Sequence, residues 1–418
     1  MQIQSYNENV LFTVCRRWNG LMSLFCLQMT TLAVYDHEVE YGIKPQNPNV
    51  NYLLRIAAST PNVQNLRIDR PVVNITPAKA DRLAQLWPRV QELDLEGSDF
   101  NGQVLGNFTR HFPLLKKLKI KTFFRTKTQL FDTIFLNHPY LVDFDVSFWE
   151  GADSDWFRSC NLPLERFAVN TLLNPDGTLD TLENCCKNSL QSFKIGLNIE
   201  ISSQLIGQIF STFKQLRNVS LNIHDHSILE NQPVLPHLEV LCLTKLFGNY
   251  ASLTNFFTSY PQLKEFHFFR YFANEELVES IATMLPNLRS LSFYNNRLPA
   301  ASWMKLTALT KLESFASELI EGFVAEDVLA FVRQMPSLQQ LTFWTAKDNS
   351  NSFQNHFSLL FKSIRDDIRS SGLNRRLWIS GNHDLFFALD SSDECTDEAI
   401  EKFAKEMTKK RRHKLEHC

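Results

Sequence analysis

The sequence lacks the short glycine motifs that shape nucleotide-binding loops and nucleophile turns. No GxxxxGK[ST], GxGxxG or GxSxG string occurs in its 418 residues, so neither phosphate binding nor serine-hydrolase chemistry has a motif to support it. The eight cysteines are scattered, with no CxxC pair and no zinc-ligand spacing. We therefore predict a non-catalytic chain with no catalytic residue, no cofactor and no metal ion.

The sequence also lacks a large excess of positive or negative charge, and it lacks long apolar runs. The formal net charge is -2, which gives no electrostatic reason to expect nucleic acid or an anionic membrane as a partner. The apolar stretch at residues 21–34 is too short to span a bilayer. Scattered cysteines in a long chain are typical of reduced, partly buried thiols, so we predict a cytoplasmic protein. A basic run at residues 409–414 leaves two alternatives open, a nuclear import signal and a solvated chain end.

An internal repeat runs through most of the chain. Twelve copies of an apolar–x–x–apolar–x–apolar pattern recur every 22 to 27 residues, and the 34 phenylalanines fill many of the apolar positions. Eight copies begin with a proline and four lack it. The prolines are Pro61, Pro88, Pro113, Pro139, Pro236, Pro261, Pro286 and Pro336. A fixed period of this length is the signature of a repeat architecture.

Each repeat predicts one strand and one helix. The end of the pattern alternates apolar and polar residues, which indicates a strand with one buried face. A helix-like stretch precedes many of the prolines, and Asn274 is a suitable N-cap before Glu275 and Glu276. Proline disfavours helix in the residue before it, so the helix ends there. Stacked repeats bury the shared apolar face, which predicts an α/β solenoid with a curved parallel sheet inside and helices outside.

These repeats resemble the leucine-rich repeat family in its longer, helix-bearing intracellular form. They depart from the family pattern in mostly lacking the asparagine or cysteine that usually follows the strand. In front of them lies VCRRWNGLM, residues 14–22, which resembles the C-terminal half of an F-box. That resemblance implies the substrate-recognition subunit of a Skp-cullin-F-box ubiquitin ligase, with an unknown protein substrate held on the concave face of the repeats. The adaptor-binding residues that it implies are Val14, Arg17, Trp18 and Leu21.

The F-box resemblance is only partial. Residues 1–13 supply neither the proline nor the apolar helix that make much of the family's adaptor contact. Two explanations stay open, an incomplete chain and a chain that has lost adaptor binding. The alternative function is a leucine-rich-repeat scaffold without a ubiquitin-ligase role, in which the helix covers the end of the solenoid. We divide the chain into a partial F-box-like helical segment (1–45), the solenoid (46–385), and an acidic linker with a basic tail (386–418).

The repeat register assigns strand side chains to two faces. Counting from each proline or its equivalent, positions +5 and +7 are expected to be buried, and positions +4, +6 and +8 to line the inner surface. The charged end of this surface comprises Lys117, Lys119, Lys121, Asp143 and Asp145. It is either a solvated, salt-laced face or a docking strip for a charged partner segment.

The other end of the inner surface is aromatic, with His267, Phe269, Tyr294 and Trp344. It is predicted to bind a partner, unless residues 378–387 fold over it as a cap. A rival hypothesis is a metallophosphatase, because GNHD at residues 381–384 imitates one metal-binding block of calcineurin-like enzymes. The further blocks that such a site needs, DxH and GDxxD, do not occur.

Overall fold

The computed structural model describes most of the repeat region and two strands beyond it. The described residues are 26–35, 50–69, 75–95, 102–122, 128–148, 156–170, 175–196, 202–223, 225–244, 251–269, 274–318, 325–344, 377–380 and 386–389. The chain divides into two compact units, Met1–Ile199 and Glu200–Cys418. In the described part, no helix is long and apolar enough to cross a membrane.

The first unit contains a parallel sheet in which each strand pairs with the next one along the chain. Its strands are β1 (Thr31–Tyr35), β2 (Asn65–Asp69), β3 (Glu92–Leu95), β4 (Lys117–Thr122), β5 (Asp143–Phe148), β6 (Arg166–Val169) and β7 (Ser192–Ile195). Its described helices are α1 (Val50–Ser59), α2 (Pro77–Leu86), α3 (Gly102–Thr109), α4 (Thr128–Asn137) and α5 (Pro175–Cys186).

The second unit repeats the same arrangement. Strands β8 to β14 pair in parallel, and β15 is antiparallel to β14. The strands are β8 (Asn218–Asn222), β9 (Val240–Thr244), β10 (Glu265–Phe269), β11 (Ser290–Arg297), β12 (Ser314–Glu318), β13 (Gln340–Trp344), β14 (Leu377–Ser380) and β15 (Phe386–Leu389). The described helices are α6 (Ser203–Thr212), α7 (Ala251–Thr258), α8 (Glu275–Met284), α9 (Ala300–Lys305) and α10 (Ala325–Gln334), with 3₁₀ turns at His226–Leu229 and Leu306–Ala308.

The predicted strand of each repeat is confirmed, since each of the twelve sequence copies contains one strand of β2 to β13. An α-helix precedes ten of these strands; among the described residues, β9 is preceded by a 3₁₀ turn and β6 by no helix. The +5 side chains pack under the helices: the Phe135 ring of α4 lies 5.3 Å from Phe144 of β5, and Phe257 of α7 lies 5.2 Å from Phe266 of β10. Phe167 and Phe193, at +5 of successive repeats, stack at 6.1 Å. The phenylalanines therefore form ladders through the core of each unit, as their equivalent positions in the repeats predict.

Side-chain caps begin several helices, including the one that the sequence predicts at Asn274. The Asn274 side chain accepts a hydrogen bond from the Leu277 amide, 2.9 Å away, and so caps α8. Thr76 and Ser202 cap α2 and α6 in the same way. Each cap satisfies one of the amides that a helix leaves without an internal partner.

The sheet extends past the predicted solenoid boundaries. Strand β1 lies inside the segment predicted to be a helical F-box-like module, and it pairs with β2 along its whole length. At the other end, β14 pairs in parallel with β13, and β15, inside the predicted linker, pairs with β14. The sequence left open a cap over the aromatic end, formed by residues 378–387. The described parts of this segment lie in β14 and β15, which continue the sheet beyond β13.

Candidate protein-binding surface

The polar face of each sheet is the one opposite the helices. In the first unit, the strands alternate partly exposed and buried residues, for example in Glu92–Leu95 and Arg166–Val169. Positions +5 and +7 are buried, which confirms the predicted register. Positions +4 and +6 form two rows that run across the strands, here called the first row and the second row.

The first row of the first unit alternates in charge. Its register is continuous from β2 to β7. The row consists of Asn65, Glu92, Lys117, Asp143, Arg166 and Ser192. The Lys117 ammonium lies 2.7 Å from Glu92 Oε1, and Arg166 Nε lies 3.5 Å from Asp143 Oδ2. Lys117 and Glu92 are 48% and 41% exposed, so this ion pair contributes little to stability and remains available to a partner.

The second row of the first unit is less exposed. It consists of Arg67, Asp94, Lys119, Asp145, Ala168 and Lys194. Asp94 Oδ2 lies between two cations, 3.7 Å from Arg67 Nε and 3.8 Å from Lys119 Nζ. The Lys119 side chain is 15% exposed. The two rows together carry cations and anions in nearly equal number, so this face attracts neither a strongly acidic nor a strongly basic partner.

The predicted charged residues thus lie together on one face. Lys117 and Asp143 share the first row, and Lys119 and Asp145 share the second. The side chain of Lys121 lies outside the described residues, as do Val14, Arg17, Trp18 and Leu21, the four predicted adaptor-binding residues.

The second unit has a different polar face. Its second row consists of Ser220, Cys242, His267, Ser292, Ala316 and Thr342, and all six are buried. His267 is 2% exposed. Its Nδ1 lies 3.1 Å from the Ser292 hydroxyl, and its Nε2 lies 3.3 Å from Glu265 Oε2. The expectation that His267 is exposed to a partner is therefore wrong, and the ring instead belongs to a buried hydrogen-bonded row.

The predicted aromatic end is only partly described. Phe269 is half-buried and pairs in register with Tyr294 of β11. The register between β11 and β12 then shifts, so that Arg297 is opposite Glu318, which is itself opposite Trp344. The side chains of Tyr294 and Trp344 lie outside the described residues, as do residues 381–384 of GNHD. In the described ranges, no three His, Cys, Asp or Glu side chains are placed to hold a metal ion.

An exposed apolar cluster that the sequence reasoning missed lies on the turn edge of the first unit. Leu114 and Tyr140 each follow a turn proline in successive repeats, and Leu136 lies in the last turn of α4. They are 45%, 61% and 82% exposed, respectively. The two turns are stacked in register, since the Val142 amide donates to the Lys116 carbonyl at 2.9 Å. We call Leu114, Leu136 and Tyr140 the edge cluster.

The edge cluster stands out among the described residues. Three of the five large apolar side chains that they expose lie in it, the other two being Leu27 and Val234. Apolar residues exposed singly need no explanation, whereas large contiguous apolar patches often mark interaction sites. Here Leu114 and Tyr140 lie on stacked turns, and Leu136 is four residues before Tyr140. Three exposed basic residues lie nearby in the sequence of these repeats. Arg89 is at the position equivalent to Leu114 one repeat earlier, Lys116 is two residues after Leu114, and Arg158 is in the repeat that follows Tyr140.

Comparison with known proteins supports the architecture. No protein-family model and no curated protein sequence matches this chain. Among solved structures, a chain of the Rad7–Elc1 complex from yeast matches with a TM-score of 0.52 and 16% identity, covering 80% of this chain and 92% of that one. A leucine-rich repeat-containing protein, LegL7 from Legionella pneumophila, gives a TM-score of 0.35 and 14% identity, covering 75% and 93%. TLR13, solved with a single-stranded RNA, gives 0.42 and 11%, covering 68% and 46%. The repeat geometry above, together with the likeness to the chain of the Rad7–Elc1 complex, shows an α/β leucine-rich-repeat solenoid fold.

Proposed function

We propose that this chain is a non-catalytic protein-binding scaffold, and that it serves as the substrate-recognition subunit of a Skp-cullin-F-box ubiquitin ligase. The observation that carries the binding role is the edge cluster. It exposes Leu114 and Tyr140 on adjacent stacked turns and Leu136 in the last turn of α4.

The edge cluster suits a protein partner on physical grounds. Tyrosine supplies a large amphipathic contact area at a low entropy cost, and interface hot spots are enriched in it. The exposed Arg89, Lys116 and Arg158 favour a partner segment that combines apolar and acidic side chains. Lys117 and Asp143 of the first row lie three residues after Leu114 and Tyr140. The alternating charges of this row can therefore fix the register of the bound segment.

The ubiquitin-ligase role rests on sequence resemblance. VCRRWNGLM resembles the second half of an F-box, the module that grips the Skp adaptor. The similar yeast chain was also solved in a two-protein complex, Rad7 with Elc1. We infer an adaptor-binding segment at the amino-terminal side of the repeats, with the target protein held by the repeats themselves.

Adaptor binding is tested with the full chain and a purified Skp adaptor on a size-exclusion column. We expect co-elution, and we expect the Trp18→Ala variant to lose it. Arg333→Ala, an exposed position in α10, is the matched control and should co-elute like the wild type. Absence of a complex with the unaltered chain would leave the scaffold role and remove the ubiquitin-ligase role.

Target binding is tested by placing a photo-crosslinking phenylalanine derivative at Tyr140 in cells. The matched control places it at His237, the exposed residue after the turn proline of another repeat. We expect defined crosslinked partners at position 140 that Leu136→Asp abolishes in the same chain. Leu136 is 82% exposed, so this change should leave the unfolding transition unaltered. Equal crosslinking at both positions would contradict a partner site at the edge cluster.

A further inference from the structure

Three cysteines that the binding role does not use meet in the first unit. Cys160 ends the turn before β6, and Cys185 and Cys186 are the last residues of α5. Cys160 and Cys186 occupy equivalent positions of successive repeats, so the stacking of the repeats brings them together. The Cys185 and Cys186 sulfur atoms are 3.2 Å apart, and the Cys186 thiol reaches the preceding repeat, where it donates to the carbonyl of Leu162, two residues after Cys160. All three are free thiols.

The three thiols differ in access and in partners. Cys186 is fully buried and its thiol donates to the Leu162 carbonyl at 3.2 Å, which holds it in the protonated form. Cys160 is 6% exposed. Cys185 is only half-buried, so a small reagent in solution reaches this sulfur first. Hydrogen bonds from Cys160 and then from Cys186 lower the pKa of Cys185, whereas its partial burial raises it.

We propose that Cys160 and Cys185 form a reversible disulfide when the protein meets a peroxide, which makes this cluster an oxidation site. The Cys185 thiolate attacks one oxygen of hydrogen peroxide, the O–O bond breaks, and the departing hydroxide takes up a proton to leave as water. The Cys160 sulfur then attacks the Cys185 sulfenic acid. The S–S bond forms, the S–O bond breaks, and the oxygen leaves as water with the Cys160 proton. Two thiols lose two electrons, and one peroxide is reduced to two water molecules.

Covalent geometry selects Cys160 over Cys186 as the partner of Cys185. The Cα atoms of adjacent residues joined by a trans peptide are about 3.8 Å apart, and the structure has no cis peptide in its described part. A disulfide usually needs a Cα separation of roughly 4.4–6.8 Å. A bond between Cys185 and Cys186 would thus distort the end of α5, whereas Cys160 approaches from a neighbouring repeat.

The test uses the full chain, a hydrogen peroxide titration, N-ethylmaleimide quenching and tryptic mass spectrometry. Trypsin separates Cys160, in peptide 159–166, from Cys185 and Cys186, which share peptide 167–187. We expect a linked pair of these two peptides that dithiothreitol splits. A disulfide between Cys185 and Cys186 would instead appear as peptide 167–187 lighter by two hydrogens, and this result would overturn the proposal.

Serine variants identify the sulfur atoms. Cys185→Ser and Cys160→Ser should lose the linked pair. Cys186→Ser should keep it within about twofold of the wild-type yield, because the serine hydroxyl can still donate to Cys185 and residue 186 forms no bond in the product. Cys160→Ala serves as the second variant if Cys160→Ser unfolds. Persistence of the linked pair in Cys185→Ser, or oxidation of Cys185 to sulfinic acid with no linked pair, would contradict the proposed disulfide.

Discussion

A buried histidine makes the stability of the first unit depend on pH. His138 immediately precedes the turn proline Pro139 and has no exposed surface. The equivalent position holds Trp87, Phe112 and Phe213 in other repeats, and these side chains are buried as well. The histidine therefore occupies a site built for an aromatic ring. Loss of hydration lowers the pKa of His138 to about 4, and the nearby backbone of Phe112 opposes this shift only in part.

The sign and size of the effect follow from proton linkage. An unfolded chain holds this histidine at its ordinary pKa of 6.5, so between pH 6.5 and about 4 the unfolded state binds more protons than the folded state. Stability is therefore fully present above pH 6.5 and falls as the pH is lowered through this window. At pH 5 the loss from His138 amounts to about 2 kcal/mol, and its limit at lower pH is about 3 kcal/mol.

Urea unfolding followed by circular dichroism at pH 7.5 and pH 5.0 measures this loss. The matched control is His138→Phe, which places at this site the residue of two other repeats. Between the two pH values, the wild type should lose about 2 kcal/mol more unfolding free energy than the variant, because every other titrating group cancels in the difference. Equal pH dependence of the two proteins would refute the reasoning. An NMR titration that places the His138 pKa near 6.5 would refute it independently.

Two further predictions concern single residues, a helix cap and a glycine that packs against the preceding repeat. Asn274→Ala removes the cap on the Leu277 amide and should lower the free energy of unfolding, measured in urea, by about 1 kcal/mol. Asn274→Ser, whose hydroxyl can cap the same amide, should retain most of the wild-type stability. An unchanged stability of the alanine variant would mean that water caps the helix equally well. Gly196→Ala would place its Cβ 2.5 Å from Asn170 Cα and 2.8 Å from Asn170 Cβ, on the preceding repeat, so it should cost about 1–3 kcal/mol by the same assay. Unchanged stability would show that the two repeats separate freely.

Period and register sufficed to predict the core. The alternation in Glu92–Leu95 fixes which side chains face the helices, because a shift of one residue would bury two carboxylates. The same register placed Lys117 beside Asp143 across two strands. Even the weakest copy followed it: Ser317 stands where other repeats carry an apolar residue, and it is fully buried. The position in the repeat, rather than the hydrophobicity of one residue, determines burial there.

The alternation of residues along a strand predicts which face of the sheet a side chain lies on, but it does not predict how exposed that side chain is. His267 lies on the polar face as predicted, yet Ser292 and Glu265 contact its ring and it is 2% exposed. Its neighbours across the strands are Cys242 and Ser292, which are small. A large side chain between small ones can lie down along the sheet, and the sequence does not say whether it does so. The same limit applies to β1, whose pairing with β2 depends on a strand more than thirty residues away.

The edge cluster, in contrast, could have been predicted by comparing the residues at equivalent positions of the repeats. The residue after the turn proline is Asn62, Arg89, His237 or Asn287 in other repeats, but it is Leu114 and Tyr140 in two adjacent ones. Three residues before the proline, Arg110 and Thr258 correspond to Leu136. Fold requirements act on every repeat alike, so a position that is polar in most repeats needs no apolar side chain for folding. Adjacent repeats nevertheless carry one and expose it, and this departure from the other repeats supports the partner site proposed at the edge cluster.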